Sequence, residues 1–368
     1  PYFIYVFRFL EPERVIERLQ KESLGHALPR DSRNANSHQQ ERVLEGIEQL
    51  ADIAVNAVAQ KDRIIASCSV NALKNLSTQF MDQKKNLNVE WFQLGDKLSN
   101  NPDFLVMSPD GAKNIARTRI WLEWKVLRQY QVIHNECLNK MGDICLLVAI
   151  NTRYIGEKAL VNDDKPVLRV AIKFFNTYLR ASINRKDIRT AYNVFHQYRQ
   201  LAERVMRHHW EKETIELACY FKYYAQTANA AGLSFVTETA AYDLSALCEL
   251  AHEENFGKEH KLLDILLGVD KDPETEEEER SLRGVRKAQI KLATYYLTVN
   301  REDLARQIWR DMEDERPERL QGIRKELFAV ETQDFWEVID RGHNFDYLDP
   351  ARKEKLEVFF SWFVDQKM

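Results

Sequence analysis

His208 and His209, followed by Glu211 and Glu213, are the densest group of metal-ligating residue types in the chain. Imidazole and carboxylate together can hold a zinc-like ion, but chelation from one helix needs ligands four residues apart. Adjacent histidines on a helix point about 100° apart, so this set reads as a polar helix junction. His252, Glu253, Glu254 and His260 form a second group. It straddles a turn, and His252 and Glu253 fall at a helix end, where a histidine favours the negative end of the helix dipole. His134 and Cys137 share a helix face and supply only two ligands, which points to a packed, buried pair. The chain has no G-x-S-x-G elbow, glycine-rich phosphate loop, H-E-x-x-H pair or calcium loop. No catalytic, cofactor-binding or metal-binding residue is therefore assigned, and the chain reads as non-enzymatic.

Aromatic residues offer a different kind of chemistry. Tyr220, Phe221, Tyr223 and Tyr224 sit on one expected helix and Tyr242 on the next. They either line a groove or fill the core, and core is the ordinary place for aromatics at helical spacing. Gln226, Thr227 and Asn229 lie just beyond, facing a groove or water. Near the C-terminus Phe335, Trp336, Phe345, Tyr347, Phe359, Phe360, Trp362 and Phe363 are unusually dense. They suit a capping helix that seals the last repeat, or a partner or dimer surface. Tyr220, Tyr223, Tyr224, Tyr242, Trp336, Phe345 and Tyr347 are the candidate partner surface.

These side chains need a scaffold, and composition says which kind. Of 368 residues, 44% are apolar and 30% charged, with only 12 glycines and 9 prolines. Folds rich in tight turns need more of both, so helices are favoured. A net charge of -4 without a long basic run argues against nucleic-acid binding, which requires clustered lysine and arginine. The five cysteines are scattered, which indicates buried thiols in a reducing compartment. No run shows the period-two alternation of a strand.

Helix signals recur along the chain. Glu11-Pro12 opens one helix, and Pro29 to Ser37 is a polar linker. Val43, Ile47, Leu50, Ala54 and Ala57 form a stripe at three- and four-residue spacing. A break near Lys61-Asp62 leads to a second stripe, Ile65, Ala72, Leu73, Leu76 and Phe80, so the two make an antiparallel pair. Ser108-Pro109 should start a long helix running to about Lys140, apolar on two faces and hence central. Met141-Gly142 breaks the chain before a helix from Ile144 to Leu160. From Pro166 to Asn255 four helices of about 18 to 22 residues are expected, with breaks near Asn184-Arg185-Lys186, His208 to Glu211, and Gly232. A shorter helix follows between Gly257 and Asp270. The acidic run Asp270 to Glu279 reads as a loop and helix start, with Thr275 and Glu278 as a capping box.

Arg286 to Arg319 resembles one tetratricopeptide repeat. Leu292 and Ala293 occupy the large and small positions of its first helix, and Tyr296 the aromatic one. Ala305 is the small residue at the helix crossing, Trp309 packs across, and Pro317 closes the unit. Gln289 and Asn300 depart from the pattern. Asp62 to Ile65, with Ala72, Leu73 and Leu76, resembles the second helix of a HEAT repeat. One repeat cannot bury its own face, so its neighbours must be helical too. The fold class is thus all-α: an irregular α-solenoid or stacked antiparallel helix pairs.

Pro1 to Leu10 is apolar and is followed by Arg14, Arg18 and Lys21. Ten residues are too few for a membrane span, which needs about 20. The segment reads as the end of a hydrophobic helix leaving a membrane, or as a buried or surface-lying first helix. With the dense C-terminal aromatics, the chain resembles uncharacterised bacterial membrane proteins with a cytosolic helical domain. The expected organisation is a membrane-exit or juxtamembrane segment (1–28), a main helical domain (38–268), and a tetratricopeptide-like unit with a C-terminal cap (274–368). The expected role is a non-enzymatic scaffold on the cytoplasmic face of a membrane that binds a protein partner or self-associates. The alternative is a sensor or gating domain for a small ligand or ion, coupled to a membrane segment.

Overall fold

The computed structural model describes residues 11–29, 37–93, 95, 99–105, 111–269, 276–331 and 345–365. Among these residues every regular element is helical. The helices are α1 (Pro12–Ala27), α2 (Ser37–Ala59), α3 (Arg63–Gln83), α4 (Pro102–Leu105), α5 (Gly111–Thr118), α6 (Trp121–Cys137), α7 (Gly142–Val161) and α8 (Lys165–Asn184). They continue as α9 (Ile188–Arg207), α10 (Glu211–Ala230), α11 (Ser234–Glu253), α12 (Glu259–Leu267), α13 (Glu276–Thr298), α14 (Glu302–Asp311), α15 (Pro317–Ala329) and α16 (Pro350–Asp365). The fold is all-α and solenoid-like. The chain divides into two compact units, Pro1–Leu201 and Ala202–Met368.

The helix starts follow the local chemistry. Pro12 opens α1 where its missing N–H costs nothing. Asp62 and Asp164 cap α3 and α8, accepting from the N–H groups of Ile65 and Val167. The stripe Val43, Ile47, Leu50, Ala54 and Ala57 is buried on α2. Within the first unit α2 packs on α1, α3 and α6, and α7 on α3, α6 and α8. These helices thus touch a sequence neighbour and a helix further along the chain, the layering of stacked helical hairpins.

The central helices keep a strict step. Helices α7 to α11 begin at Gly142, Lys165, Ile188, Glu211 and Ser234, 23 residues apart each time, and each is 20 residues long. The turns after them repeat one conformation. Asp163, Lys186, His209, Gly232 and Asn255 all have φ between 51° and 71°. The next N–H then reaches back five residues: Asp164 to Ala159, Asp187 to Ser182, Trp210 to Val205, Leu233 to Ala228 and Phe256 to Ala251, at 2.8–3.3 Å. This is the Schellman closure, which satisfies carbonyls left open at a helix end. Lys61 and Asn300 make the same turn. A left-handed backbone costs a side-chain-bearing residue about 1–2 kcal/mol. Lys186 and His209 are exposed at their turns, so Lys186→Gly or His209→Gly is expected to raise the unfolding free energy by about 0.5–1 kcal/mol. Urea titration checks this, and a glycine variant less stable than the parent would count against it.

The helix expected from Ser108-Pro109 to Lys140 is two helices. Arg119 turns left-handed at φ 60°, and Ile120 donates its N–H to the Ile115 carbonyl at 3.2 Å. A Schellman turn therefore ends α5, and α6 restarts at Trp121. Both faces of α6 are buried, as the two-sided apolar pattern requires. Ser108 and Pro109 lie outside the described residues.

Charge is buried inside the first unit. The Lys84 ammonium sits 2.8 Å from Glu123 and 2.6 Å from Asp164, tying the turn after α3 to α6 and to the cap of α8. Burial alone would lower this lysine, but the two carboxylates outweigh it and hold it above the usual range. Burial lifts the Glu123 carboxyl against the pull of Lys84, and repulsion from the Asp164 carboxylate adds to the rise. Lys125, also buried, bonds Glu48 at 2.5 Å and pairs with Asp103, which meets Arg128 at 3.2 Å. Elsewhere in this unit Gly156 brings helices together: a methyl group there would lie 2.9 Å from a Leu201 methyl and 3.6 Å from the Ala171 Cβ.

In the second unit α10 packs on α11 and α12, while α11 packs on α13. Helix α13 in turn touches α14, α15 and α16. The positions of the tetratricopeptide-like stretch fall on α13 and α14, where Leu292, Ala293, Tyr296 and Ala305 are buried. Pro317 stands at the first turn of α15. The acidic run enters α13, with Thr275 outside the described residues.

Candidate functional site

Three cations, Arg283, Lys287 and Lys291, recur every fourth residue on α13 and so share one face. Helix α11 lies alongside and contributes Tyr242 and Glu249. Residues 345–349 run in front of α16, whose first turn carries Arg352. Phe345 and Asp346 are held against the two helices. The Phe345 ring stacks on Tyr242 with centroids 4.8 Å apart and planes 14° apart. The Tyr242 hydroxyl donates to one Asp346 carboxylate oxygen at 2.9 Å, and the Lys287 ammonium donates to the other at 2.7 Å. Lys291 donates to the main-chain carbonyl of Phe345 at 2.8 Å and lies 5.7 Å from the Tyr242 ring centre.

The charges here are partly desolvated. Burial would lower Lys287, but Asp346 and Glu326 outweigh it and hold it above the usual lysine range. Lys291 goes the other way. Its burial dominates, Glu249 opposes, Arg352 adds repulsion, and the ammonium falls below its usual range. Arg352 grips Glu249 with two hydrogen bonds, of 3.0 and 2.8 Å, and stacks over Tyr295 at 5.0 Å. Such a fork fixes geometry as well as charge. The Tyr295 hydroxyl donates to the Glu249 carbonyl at 3.3 Å, and burial pushes its pKa up to about 12. The arrangement can hold a short turn of chain by its ring, its carboxylate and its backbone together.

The candidate aromatics fall into separate places. Tyr242 and Phe345 meet as described. On α10, Tyr223 is 52% exposed and packs edge-on against the buried Tyr224 at 5.0 Å. Tyr220 on the same helix is half-buried and hydrogen-bonds Glu216 at 3.3 Å. Tyr347 is half-buried beside the Phe345-Asp346 contact. Trp336, with Phe335, lies outside the described residues. Trp309 packs against Trp362 and Phe363.

The histidine groups do other work. His209 forms the left-handed turn after α9, and the His208 ring meets the Arg204 carbonyl at 2.9 Å. His252 meets Glu259 at 3.2 Å, and Glu259 also takes a 2.5 Å bond from Arg301, so α11, α12 and the start of α14 are tied together. His134 and Cys137 are fully buried on α6, with the His134 ring stacked on Tyr178 at 4.7 Å. Among the described residues no three histidine, cysteine, aspartate or glutamate side chains are grouped to hold a metal ion.

Sequence reasoning missed Lys287, Lys291, Glu249, Asp346 and Arg352. The four-residue repeat of cations on α13 was a usable signal, but it is also what a solvated helix face looks like.

No protein-family model matches the chain, and comparison with curated proteins gives no match. Among solved structures it is similar to one described as a circular tandem repeat protein with novel repeat topology and enhanced subunit contact surfaces. Identity is 15%, the match covers 96% of this chain and 89% of that one, and the TM-score is 0.37. The fold assignment rests on the helices themselves.

Proposed function

We propose that the protein is a non-enzymatic helical-repeat scaffold that binds a protein partner along the face built by α11 and α13. The observation that carries this reading is the grip of Tyr242, Lys287 and Lys291 on Phe345-Asp346. A helix face that reads backbone, carboxylate and ring together is suited to polypeptide. A small-ligand sensor would need polar groups converging in an enclosed pocket. The surface groove along α15 draws its lining (Gln321, Arg324, Lys325, Phe328 and Ala329) from one helix and lies open.

Placement beside a membrane rests on the composition of Pro1–Leu10, which lies outside the described residues. Among the described residues no helix is long and apolar enough to cross a membrane. Of the basic residues that follow, Arg14 pairs with Glu11 and Lys21 with Glu17, each at 2.5 Å. That local neutralisation lessens the attraction of α1 for an anionic surface.

A photo-crosslinking amino acid at position 283 of the full chain, half-buried one turn before Lys287 on the same face, tests the scaffold reading without removing a gripping residue. Crosslinks to a second polypeptide, whether another protein or a second copy, are expected, and the Lys291→Ala exchange should reduce them. Crosslinks confined to the chain itself, with a strictly monomeric sedimentation profile, would overturn the reading.

A further inference from the structure

We infer that the α11–α13 face is a binding site for a short segment with an aromatic residue followed by aspartate, and that Phe345-Asp346, which form a turn, occupy it in cis. This inference rests on the partner-binding reading above and names the chemistry of the partner. Each contact reads a different feature of the occupant. Tyr242 takes the ring, its hydroxyl and Lys287 take the carboxylate, and Lys291 takes the carbonyl between them. An aspartate in second place is required because its two oxygens are held from two sides at 2.9 and 2.7 Å. Glutamate would carry the carboxylate one methylene too far.

The occupant is separable from what flanks it. Leu348 is buried on its own account, and α16 is anchored by Arg352 on Glu249 and by Leu356 and Phe359, which are fully buried. Phe345 and Asp346, by contrast, are only half-buried. Lys287 keeps Glu326 at 2.8 Å if Asp346 leaves, so the face does not collapse into two unpaired ammonium groups. A tethered occupant acts at an effective concentration in the millimolar range, so a partner competes with it and must carry the same pair of features.

The probe is a fluorescent peptide with the sequence of residues 343–349, measured by anisotropy against the full-length chain. In the F345A/D346A variant the cis occupant is stripped, and the peptide should bind at least about tenfold more tightly than to wild type. Adding K287A/K291A to that variant should remove the gain, and a peptide with asparagine for its first aspartate should bind about tenfold more weakly. Equal binding to wild-type and stripped chains, or binding indifferent to the two lysines, would overturn the inference. Should the stripped variant lose its fold, wild type answers by hydrogen exchange. Excess peptide should speed exchange at residues 345–348 and leave α16 unchanged; no change at 345–348 would refute it. Lysine-dependent crosslinks to a partner without peptide binding would leave the scaffold standing and remove this inference alone.

Discussion

Replacing Lys84 with methionine is expected to destabilise the protein by about 3–5 kcal/mol, a large share of a typical folding free energy. Methionine keeps the unbranched stem but removes the charge. Glu123, fully buried, then faces no cation, and Asp164 loses one of its partners while still capping α8. The cost comes from the stranded carboxylate rather than from the lost pair, because a buried ion pair is worth little net when both members are exchanged for apolar groups. The double variant Lys84→Met with Glu123→Gln should therefore recover most of the loss. The single variant should also regain stability on acidification, since a protonated Glu123 no longer needs a counter-charge. Urea unfolding followed by tryptophan emission reads this directly, because Trp91 and Trp121 are buried in the same unit and stack edge to face at 6.0 Å. A single variant that unfolds with wild type would refute the assignment.

The second large effect is a loss of stability in mild acid, traced to His134. Its ring is fully buried on α6, stacked on Tyr178 of α8, and both ring nitrogens lack a hydrogen-bond partner. Burial lowers its pKa to about 4 from the ordinary 6.5, and the nearby Asp187 carboxylate only partly opposes this. The folded chain thus holds the ring neutral at pH values where the unfolded chain protonates it. The contribution of this group is fully present above the ordinary value and is lost as pH falls from 6.5 towards 4. Over that window it amounts to about 3 kcal/mol, of which about 2 kcal/mol is gone by about pH 5. His134→Phe keeps the stack on Tyr178 and removes the titration. Urea midpoints at about pH 7.5 and about pH 5 should fall together less in the variant than in wild type. Identical pH slopes for the two proteins would show that His134 does not carry the effect.

Much of the scaffold was legible because helix formation leaves local marks. Asp62 announces α3, Pro12 announces α1, and the stripe from Val43 to Ala57 names the buried face of α2. Breaks expected near Asn184-Lys186, His208-Glu211 and Gly232 are where the turns occur. The 23-residue step was not legible. Its defining position is occupied in turn by Asp163, Lys186, His209, Gly232 and Asn255, five different residue types. Most side chains tolerate a left-handed turn at modest cost, so the turn leaves no residue signature. Arg119 escaped notice for the same reason.

The partner face divides in the same way. Aromatic type alone singled out Tyr242 and Phe345, but their pairing joins residues far apart in the chain, and Tyr242 reaches Asp346 across 104 positions. Lys287 and Lys291 look on paper like any solvated helix cations. Only the stacking of α11 on α13, with residues 345–349 laid across them, makes them a binding surface.

The residues by themselves determined that the chain is helical, where most helices begin and end, and which stripes are buried. Those properties follow from interactions within a few residues of one another. Tertiary structure decided which helix lies on which, which charges are desolvated, and which distant segments meet. Those depend on packing between elements separated by tens of residues, and no local pattern of spacing encodes them.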